Sequence, residues 1–260
     1  MTAQTISTAF VAARRAFGRL DAYPGDVPAT LEDAYAVQEL SIAAWPDTIA
    51  GWKVALVQPQ WQAQYTAPRL AGPIFAAHVH DGGGAPARVR AFPAGFAAVE
   101  AEFVVRIARD IPLNAAIQSD ADLAPYLGAV HAGIEWAASP LASLNAEGPG
   151  AVASDLGNNA GLILGPELAG FAKDGLEAEA SRTEIDGAVV GEGSAANVPD
   201  GPYAAVRFLI AHLATRGRTL GAGDWVSTGA STGIHPIAAG QTARCVFRGD
   251  VAVSVAVGES

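Results

Sequence analysis

The stretch "FAAVEAEFVV", residues 96–105, places Glu100 and Glu102 inside a run that otherwise predicts a buried β-strand. Side chains two positions apart on a strand point to the same side, so the two carboxylates project together. Their apolar flanks indicate that this side is at least partly removed from water. Neighbouring carboxylates in such a place repel each other unless a proton or a cation lies between them.

Two interpretations of this pair are open. A divalent cation would neutralise both charges, and hard oxygen ligands suit Mg²⁺ or Mn²⁺. Alternatively, the strand lies at an exposed edge and both glutamates face water. A third carboxylate in an apolar setting, Glu135 within "HAGIEWAASPL", favours the metal site. Lys53 within "GWKVAL" is either a proton donor or acceptor with a shifted pKa, or a surface lysine with only its stem buried.

The composition limits the classes of function. Of the 260 residues, 50% are hydrophobic and 16% are charged, which allows a sizeable core. A net charge of −10 argues against a nucleic acid partner. The single cysteine excludes an intramolecular disulfide and fits a reducing compartment, so we expect a cytoplasmic protein. No apolar segment approaches the ~20 residues that span a bilayer, so no membrane partner is expected.

The pattern of hydrophobic residues changes near residue 48. Residues 1–47 predict helices, with Thr30 and Asp33 capping the second one. Short apolar or alternating runs divided by Gly and Pro then predict strands, interrupted by predicted helices over residues 120–137 and 200–217. We therefore predict an α+β fold with a helical N-terminal part, residues 1–47, and a β-rich catalytic domain, residues 48–260.

Three short motifs match known signatures poorly. "GASTG", residues 229–233, matches a nucleophile elbow, but no helix is predicted after it, so we interpret it as a turn and Ser231 as unreactive. "GEGSAA", residues 191–196, resembles a dinucleotide fingerprint without the βαβ context. His78 and His80 could share one face of a strand and reach a metal, but the adjoining triple glycine favours a solvated loop.

Five segments carry a resemblance to a known family. They are "GWKVALVQPQWQAQY", "VEAEFVVRIARDIP", "IEWAASPL", "SDLGNNAGLILG" and "GDWVSTGASTGIHPIAAGQTARCVF". Together they resemble the fumarylacetoacetate hydrolase superfamily, specifically its 2-oxopent-4-enoate hydratase and 2-oxo-3-hexenedioate decarboxylase branch. The match follows the branch's order over nearly the whole chain. It implies a strand-rich mixed β-roll around a Mg²⁺ or Mn²⁺ site, a helical N-terminal part and a homo-oligomer.

The resemblance also implies roles for individual residues. Three glutamates fall on the metal ligands of the family pattern: Glu100, Glu102 and Glu135. Two positions fall on catalytic residues: Lys53, on the active-site lysine, and Asp155, on the acidic residue of a D-N-A motif. The implied substrate-binding residues are Ser139, Asn159 and Thr228.

Some positions depart from the family pattern. An aspartate and an arginine of the branch become Ala138 and Pro140, and Leu156 replaces an asparagine. The segment "APRLAGPIF" lacks an aspartate that is thought to help activate water in many hydratases. The resemblance therefore supports the metal site more strongly than it supports the identity of the substrate.

The implied reaction is that of a metal-dependent lyase on a short unsaturated 2-oxo acid. Such an acid chelates a cation through a carboxylate oxygen and the 2-oxo oxygen, and Lys53 would move the proton. We expect hydration of a 2-oxopent-4-enoate-type substrate to a 4-hydroxy-2-oxo acid, ahead of decarboxylation of a 2-oxo-3-hexenedioate type. The remaining alternatives are C–C hydrolysis of an acylpyruvate, which usually needs a His–Glu pair, and a non-catalytic binding or assembly relative.

Overall fold

Two β-sheets packed against each other form the framework of the chain. The computed structural model describes residues 2–171 and 175–258. The α-helices within these residues are α1 (Ala3–Arg15), α2 (Leu31–Ala44), α3 (Asp120–Leu123), α4 (Pro149–Ser154) and α5 (Pro202–Thr215).

The larger sheet contains the strand from which the sequence analysis started. Its strands are β1 (Ile49–Leu56), β2 (Arg69–Phe75), β3 (Val79–Asp81), β5 (Phe96–Ile107), β6 (Leu127–Ser139), β7 (Asn159–Glu167), β10 (Trp225–Ala230) and β11 (His235–Pro236). They run in the order β2-β1-β10-β5-β6-β7-β3, and β11 pairs with β5 beyond the end of β10. Both orientations occur, because β1 pairs with β10 in parallel whereas β5 pairs with β10 and β6 in antiparallel fashion.

The smaller sheet covers one face of the larger one. Its order is β4-β13-β12-β8-β9, with β4 (Ala87–Arg90), β8 (Ala180–Ile185), β9 (Ala188–Ser194), β12 (Thr242–Phe247) and β13 (Val251–Gly258). The main core lies between the sheets, where the rings of Phe103 and Phe247 meet edge to face with centroids 5.3 Å apart. The odd-numbered side chains of β5 enter this core, so Glu100 and Glu102 point to the opposite face.

The N-terminal helices pack over the end of the larger sheet. Thr30 caps α2 as predicted, because its hydroxyl accepts a hydrogen bond from the Asp33 amide at 3.1 Å. Phe10 and Val37 share a buried cluster with Leu141 and Leu144, so the helices are anchored on later parts of the chain. The division of the chain into two parts at residue 47 stays a prediction.

The helix predicted over residues 120–137 is wrong for most of its length. Helix α3 ends at Leu123, and residues 127–139 form β6, a central strand of the larger sheet. The run is apolar enough that its period does not separate a buried helix from a buried strand, and β6 is covered on both faces. The helix predicted over residues 200–217 is confirmed as α5, and Gly217 follows it with a φ of 66°.

None of the helices in the described part of the chain has the length and apolar character that crossing a bilayer requires.

Candidate metal centre

The three glutamates meet because of the pairing between β5 and β6. In that register Glu100 lies directly opposite Glu135, and Glu102 lies two positions along on the same face. One carboxylate oxygen from each residue lies within 4.8 Å of the others. All three side chains are buried, and β5 is an interior strand, so the interpretation of an exposed sheet edge is wrong.

Lys53 is the cation next to this cluster. It lies on β1, and its Nζ is 3.2 Å from Glu135 Oε2, with 3% of the lysine side chain exposed. Burial alone would lower the pKa of Lys53, but the negative charges of Glu135, Glu100 and Glu102 outweigh burial and raise it. The interpretation of a surface lysine is therefore wrong, and Lys53 is a buried ammonium inside the site.

One lysine does not neutralise three carboxylates. Burial raises the pKa of Glu100 to about 8, with a further contribution from the charge of Glu135 that Lys53 partly opposes. Burial, followed by the charges of Glu135 and Glu100, raises the pKa of Glu102 well above its ordinary value. Both shifts mean that the protein alone stabilises the ionised cluster poorly, so these side chains favour a proton or a second cation between them.

The hydrogen bonds around the cluster fit a divalent cation. Glu102 Oε2 accepts bonds from the Ser227 hydroxyl at 2.6 Å and the Gly229 amide at 2.8 Å, and Glu135 Oε1 accepts one from Asn159 Nδ2 at 3.1 Å. Glu102 Oε1 and Glu135 Oε2 accept no hydrogen bond of normal geometry, although Lys53 lies near the latter. Each of these two carboxylates therefore has one oxygen held in place and one buried oxygen left for a ligand, as metal-binding carboxylates do.

Two adjoining cavities open on the cluster, and Glu100 lines both. The Arg69 cavity, about 420 Å³, also contains Thr228, and the Lys53 cavity, about 270 Å³, is walled by Trp61 and Leu70. The charged groups at the centre lie on strands, whereas much of the outer wall comes from connections between strands. These connecting segments include residues 58–61, 145–149, 197–199 and 233–234.

A left-handed segment closes the site behind Lys53. Leu156, Gly157 and Asn158 all have positive φ, at 55°, 72° and 64°. A Cβ on Gly157 would lie 2.8 Å from the Gly72 Cα, so the two backbones approach more closely than other residues allow. Such conformations persist only where the surroundings enforce them, and here they bring Asn158 into the wall of the Lys53 cavity.

The predicted residues Asp155 and Ser139 belong to a separate buried group. The Asp155 carboxylate accepts bonds from Arg14 Nε at 2.5 Å, Arg14 Nη2 at 2.9 Å and the Ser139 hydroxyl at 2.6 Å. Arg14 also donates to the carbonyl oxygens of Ala138 and Asn159. This group joins α1 to the ends of β6 and β7, and neither Asp155 nor Ser139 lines the two cavities. The catalytic and substrate-binding roles of these residues stay predictions.

We expect Asp155→Ala to lower the free energy of unfolding by about 3–5 kcal/mol, because it leaves the Arg14 guanidinium buried without its counter-charge. Urea denaturation of metal-free protein measures this loss. The matched control is Asp21→Ala, whose pair with Arg19 is exposed and contributes about 0–1 kcal/mol. Similar losses in the two variants would show that the Arg14 pair has no structural role of this size.

The other residues named from the sequence have clear positions. Asn159 touches the cluster through Glu135, and Thr228 lines the Arg69 cavity while donating to the Phe103 carbonyl at 2.7 Å. Ser231 is buried, with its hydroxyl donating to the Ala101 carbonyl, and the short strand β11 follows it in place of a helix. His78 ends a 3₁₀ turn and His80 lies on β3, and both are half-buried, so the solvated loop predicted for them is wrong. Both line a different cavity.

Two residues at the site and one in the separate buried group were missed. Ser227 holds Glu102, Arg69 lines a cavity, and Arg14 neutralises Asp155. Ser227 could have been found, because it directly precedes the predicted residue Thr228 in the sequence. Arg14 lies 141 positions from its partner, so no local pattern connects them.

Comparisons with known proteins add to this geometry. No family model matches the sequence, and no curated protein does. Among solved structures the chain is similar to 4-oxalocrotonate decarboxylase from Pseudomonas putida G7 complexed with magnesium and adipate, with a TM-score of 0.80 and 22% identity, over 98% of this chain and 97% of that one. The same enzyme complexed with calcium and acetate gives a TM-score of 0.79 and 23% identity, over 98% and 96% of the two chains.

A second kind of enzyme matches less completely. Fumarylpyruvate hydrolase from Pseudomonas aeruginosa, in complex with Mn²⁺ and pyruvate, has a TM-score of 0.56 and 17% identity, over 80% of this chain and 89% of that one. Both kinds of enzyme are fumarylacetoacetate hydrolase superfamily members. The resemblance found in the sequence is confirmed in the architecture, and the chain has the fold of the fumarylacetoacetate hydrolase superfamily.

Proposed function

We propose that the chain is a divalent-metal-dependent lyase for a short 2-oxo acid, with decarboxylation of a 2-oxo-enedioic acid as the first candidate reaction. The observation that carries the proposal is the buried cluster of Glu100, Glu102 and Glu135, with Lys53 in contact, at the junction of two cavities. Such a site can hold and polarise a chelating substrate without a covalent nucleophile.

Glu100, Glu102 and Glu135 would hold the cation, and the all-oxygen set suits Mg²⁺ or Mn²⁺. The names of the similar structures support this choice, since they include magnesium, calcium and Mn²⁺. When bound, the cation supplies a Lewis acid that favours negative charge on the 2-oxo oxygen. The protein contributes the fixed carboxylate orientations, because Ser227, Gly229 and Asn159 restrain the two carboxylates of Glu102 and Glu135.

Lys53 is the proposed proton carrier. Its Nζ is held by Glu135, and Lys53 lines the smaller cavity, where the substrate's carbon chain would lie. The apolar walls formed by Trp61 and Leu70 keep bulk water away from that proton. A proton transfer of this kind contributes typically 10²–10⁴-fold to a rate.

The Lys53 cavity suits a carboxylate that leaves as carbon dioxide. Apart from Lys53 and Glu100 its polar lining consists of neutral amides, Gln58, Gln60, Asn145 and Asn158. Neutral donors bind a carboxylate more weakly than an arginine does, so they oppose its loss less. As the C–C bond breaks, its electron pair moves through the conjugated chain to the 2-oxo oxygen. Lys53 then gives a proton to the enolate oxygen of the resulting dienolate, and the product leaves as a 2-hydroxydienoate that keeps its remaining carboxylate.

Hydration is the second candidate, because the same amides could position a water molecule. It ranks lower than the sequence suggested. The acid that would activate water is missing from residues 67–75, and Arg69 occupies that part of the site. The similarity to a decarboxylase over 98% of the chain also supports decarboxylation. Hydrolysis lacks support, since no histidine of the described residues lines either cavity.

The test is incubation of the Mg²⁺- or Mn²⁺-loaded protein with 2-oxohex-3-enedioate and, separately, with 2-hydroxypenta-2,4-dienoate. Release of carbon dioxide from the first compound supports decarboxylation, and formation of 4-hydroxy-2-oxopentanoate from the second supports hydration. Glu192→Gln, an exposed change of the same type, should keep full activity. A metal-loaded protein that turns over neither compound would contradict the lyase proposal and favour a non-catalytic binding or assembly relative. Homo-oligomeric assembly stays a prediction, which light scattering on the same sample tests.

A further inference from the structure

A third cavity, about 450 Å³, lies on the face of the larger sheet opposite the glutamates. Trp136 lines it and is adjacent to Glu135 on β6, so the two side chains point to opposite faces. The cavity shares no lining residue with the Arg69 and Lys53 cavities. It is therefore a separate space, reached from another side of the molecule.

The lining of this cavity is strongly basic. Six of its residues carry guanidinium or imidazole groups: Arg14, Arg15, Arg88, Arg90, His78 and His80. No carboxylate is among the lining residues. The four arginines are a quarter of the 16 basic residues in a chain of net charge −10. Such a concentration against the overall charge creates a local positive field that attracts anions.

Most of this charge has no counter-charge among the residues that the structure describes. Arg14 is neutralised by Asp155, as described above. Arg15, Arg88 and Arg90 have no carboxylate of residues 2–171 or 175–258 within salt-bridge distance. Three guanidinium groups, each with a fork of donors that fits a phosphate or a carboxylate, therefore face or border one cavity.

The conformation of Phe17 independently indicates that the wall of this cavity has a fixed arrangement. Phe17 has a φ of 50°, in the left-handed region, which is a strained conformation for a bulky side chain. The strain places its ring against Phe92, with centroids 5.0 Å apart, and beneath the Arg90 guanidinium, 4.0 Å from the ring centroid. A cation held on an aromatic face keeps its N–H groups free for a ligand, so this stack fixes the direction of Arg90.

We propose that this cavity is a binding site for a small organic anion with at least two oxyanion groups, carried on phosphates or carboxylates. Its volume is within the range of small-molecule sites. The guanidinium forks would bind the oxyanions, and the half-exposed ring of Trp45 offers a surface for the carbon part. Burial lowers the pKa values of His78 and His80, so the arginines supply the positive charge at neutral pH.

The test uses the full chain freed of metal on a chelating resin, so that its result does not depend on the proposed reaction. Two probes are titrated by calorimetry at low ionic strength: tripolyphosphate and propane-1,2,3-tricarboxylate. We expect one ion of at least one probe to bind per chain, more weakly as salt is added. The probe that binds more tightly identifies phosphate or carboxylate as the preferred group.

Arg88→Gln/Arg90→Gln removes two exposed arginines from the cavity, and we expect it to weaken binding at least about tenfold, because two sets of charged donors are lost. The matched control is Arg109→Gln/Arg244→Gln, which makes the same charge change at exposed positions outside the cavity. Binding that falls equally in both double variants, or no binding of either probe to the wild-type chain, overturns the proposal.

Discussion

Replacing Glu102 by glutamine is expected to abolish the rise in melting temperature that Mg²⁺ or Mn²⁺ gives the wild-type chain, and to lower turnover on the order of a thousandfold or more. The glutamine oxygen can keep the bonds from Ser227 and Gly229, so its NH₂ group takes the place of Glu102 Oε1, the buried oxygen without a donor. A hydrogen-bond donor then points where a cation ligand is needed.

Without metal, Glu102→Gln should be more stable to heat than the wild-type chain. Removing one of three neighbouring buried carboxylates relieves their repulsion, so Glu102→Gln should melt at a higher temperature than wild type without metal. At a cation concentration one hundred times Kd, wild type should gain about 2.7 kcal/mol, or roughly 5–10 °C, and the variant almost nothing. Scanning calorimetry measures both effects, with Glu192→Gln as the control. An unchanged metal-induced shift in Glu102→Gln would falsify the ligand assignment.

Replacing Lys53 by methionine should separate proton transfer from metal binding. The variant keeps most of the side-chain volume in a site where 3% of the lysine is exposed, but it loses the ammonium group. We expect turnover to fall by about 10²–10⁴-fold, the usual contribution of a general acid or base. The cation should still bind, because the three glutamates remain.

The metal-induced rise in melting temperature should be larger in Lys53→Met than in wild type. Without the ammonium, the three carboxylates have lost the positive charge beside Glu135, and the metal-free state is destabilised. Turnover of Lys53→Ala in added methylamine provides a further check, since a small amine can occupy the vacated space and carry the proton. Wild-type turnover of Lys53→Met or Lys53→Ala without added amine would show that Lys53 does not move the proton.

The sequence was most informative where charge and burial conflict. Glu100 and Glu102 within an apolar strand run could be interpreted correctly as buried carboxylates that need a compensating charge, because an ionised group without a partner is costly in such a place. The same reasoning applied to Lys53 and Glu135, which proved to be in contact. Local chemistry is sufficient for this type of inference, since the penalty of burial does not depend on the rest of the fold.

The sequence could not predict the features that depend on contacts between segments far apart in the chain. The apolar run 127–139 has no clear period, so only its pairing with β5 and β7 shows that it is a strand. Arg14 binds the Asp155 carboxylate from 141 positions away, and the half-buried His78 contacts the ring of Trp45, 33 positions before it. These contacts join residues far apart in the chain, and hydrophobic patterning does not encode them.

The strands carry the charged groups of the site, whereas the connecting segments form much of the outer cavity wall. This difference determines which substitutions the site can tolerate. The glutamates and Lys53 are fixed by strand pairing, so a substitution in a connecting segment leaves their positions intact. Residues 58–61, 145–149, 197–199 and 233–234 form much of the outer wall of the two cavities and carry little of the core. On the proposed function, natural variation, or an engineered library confined to these four segments, would alter which acid is accepted while the glutamates and Lys53 keep their positions.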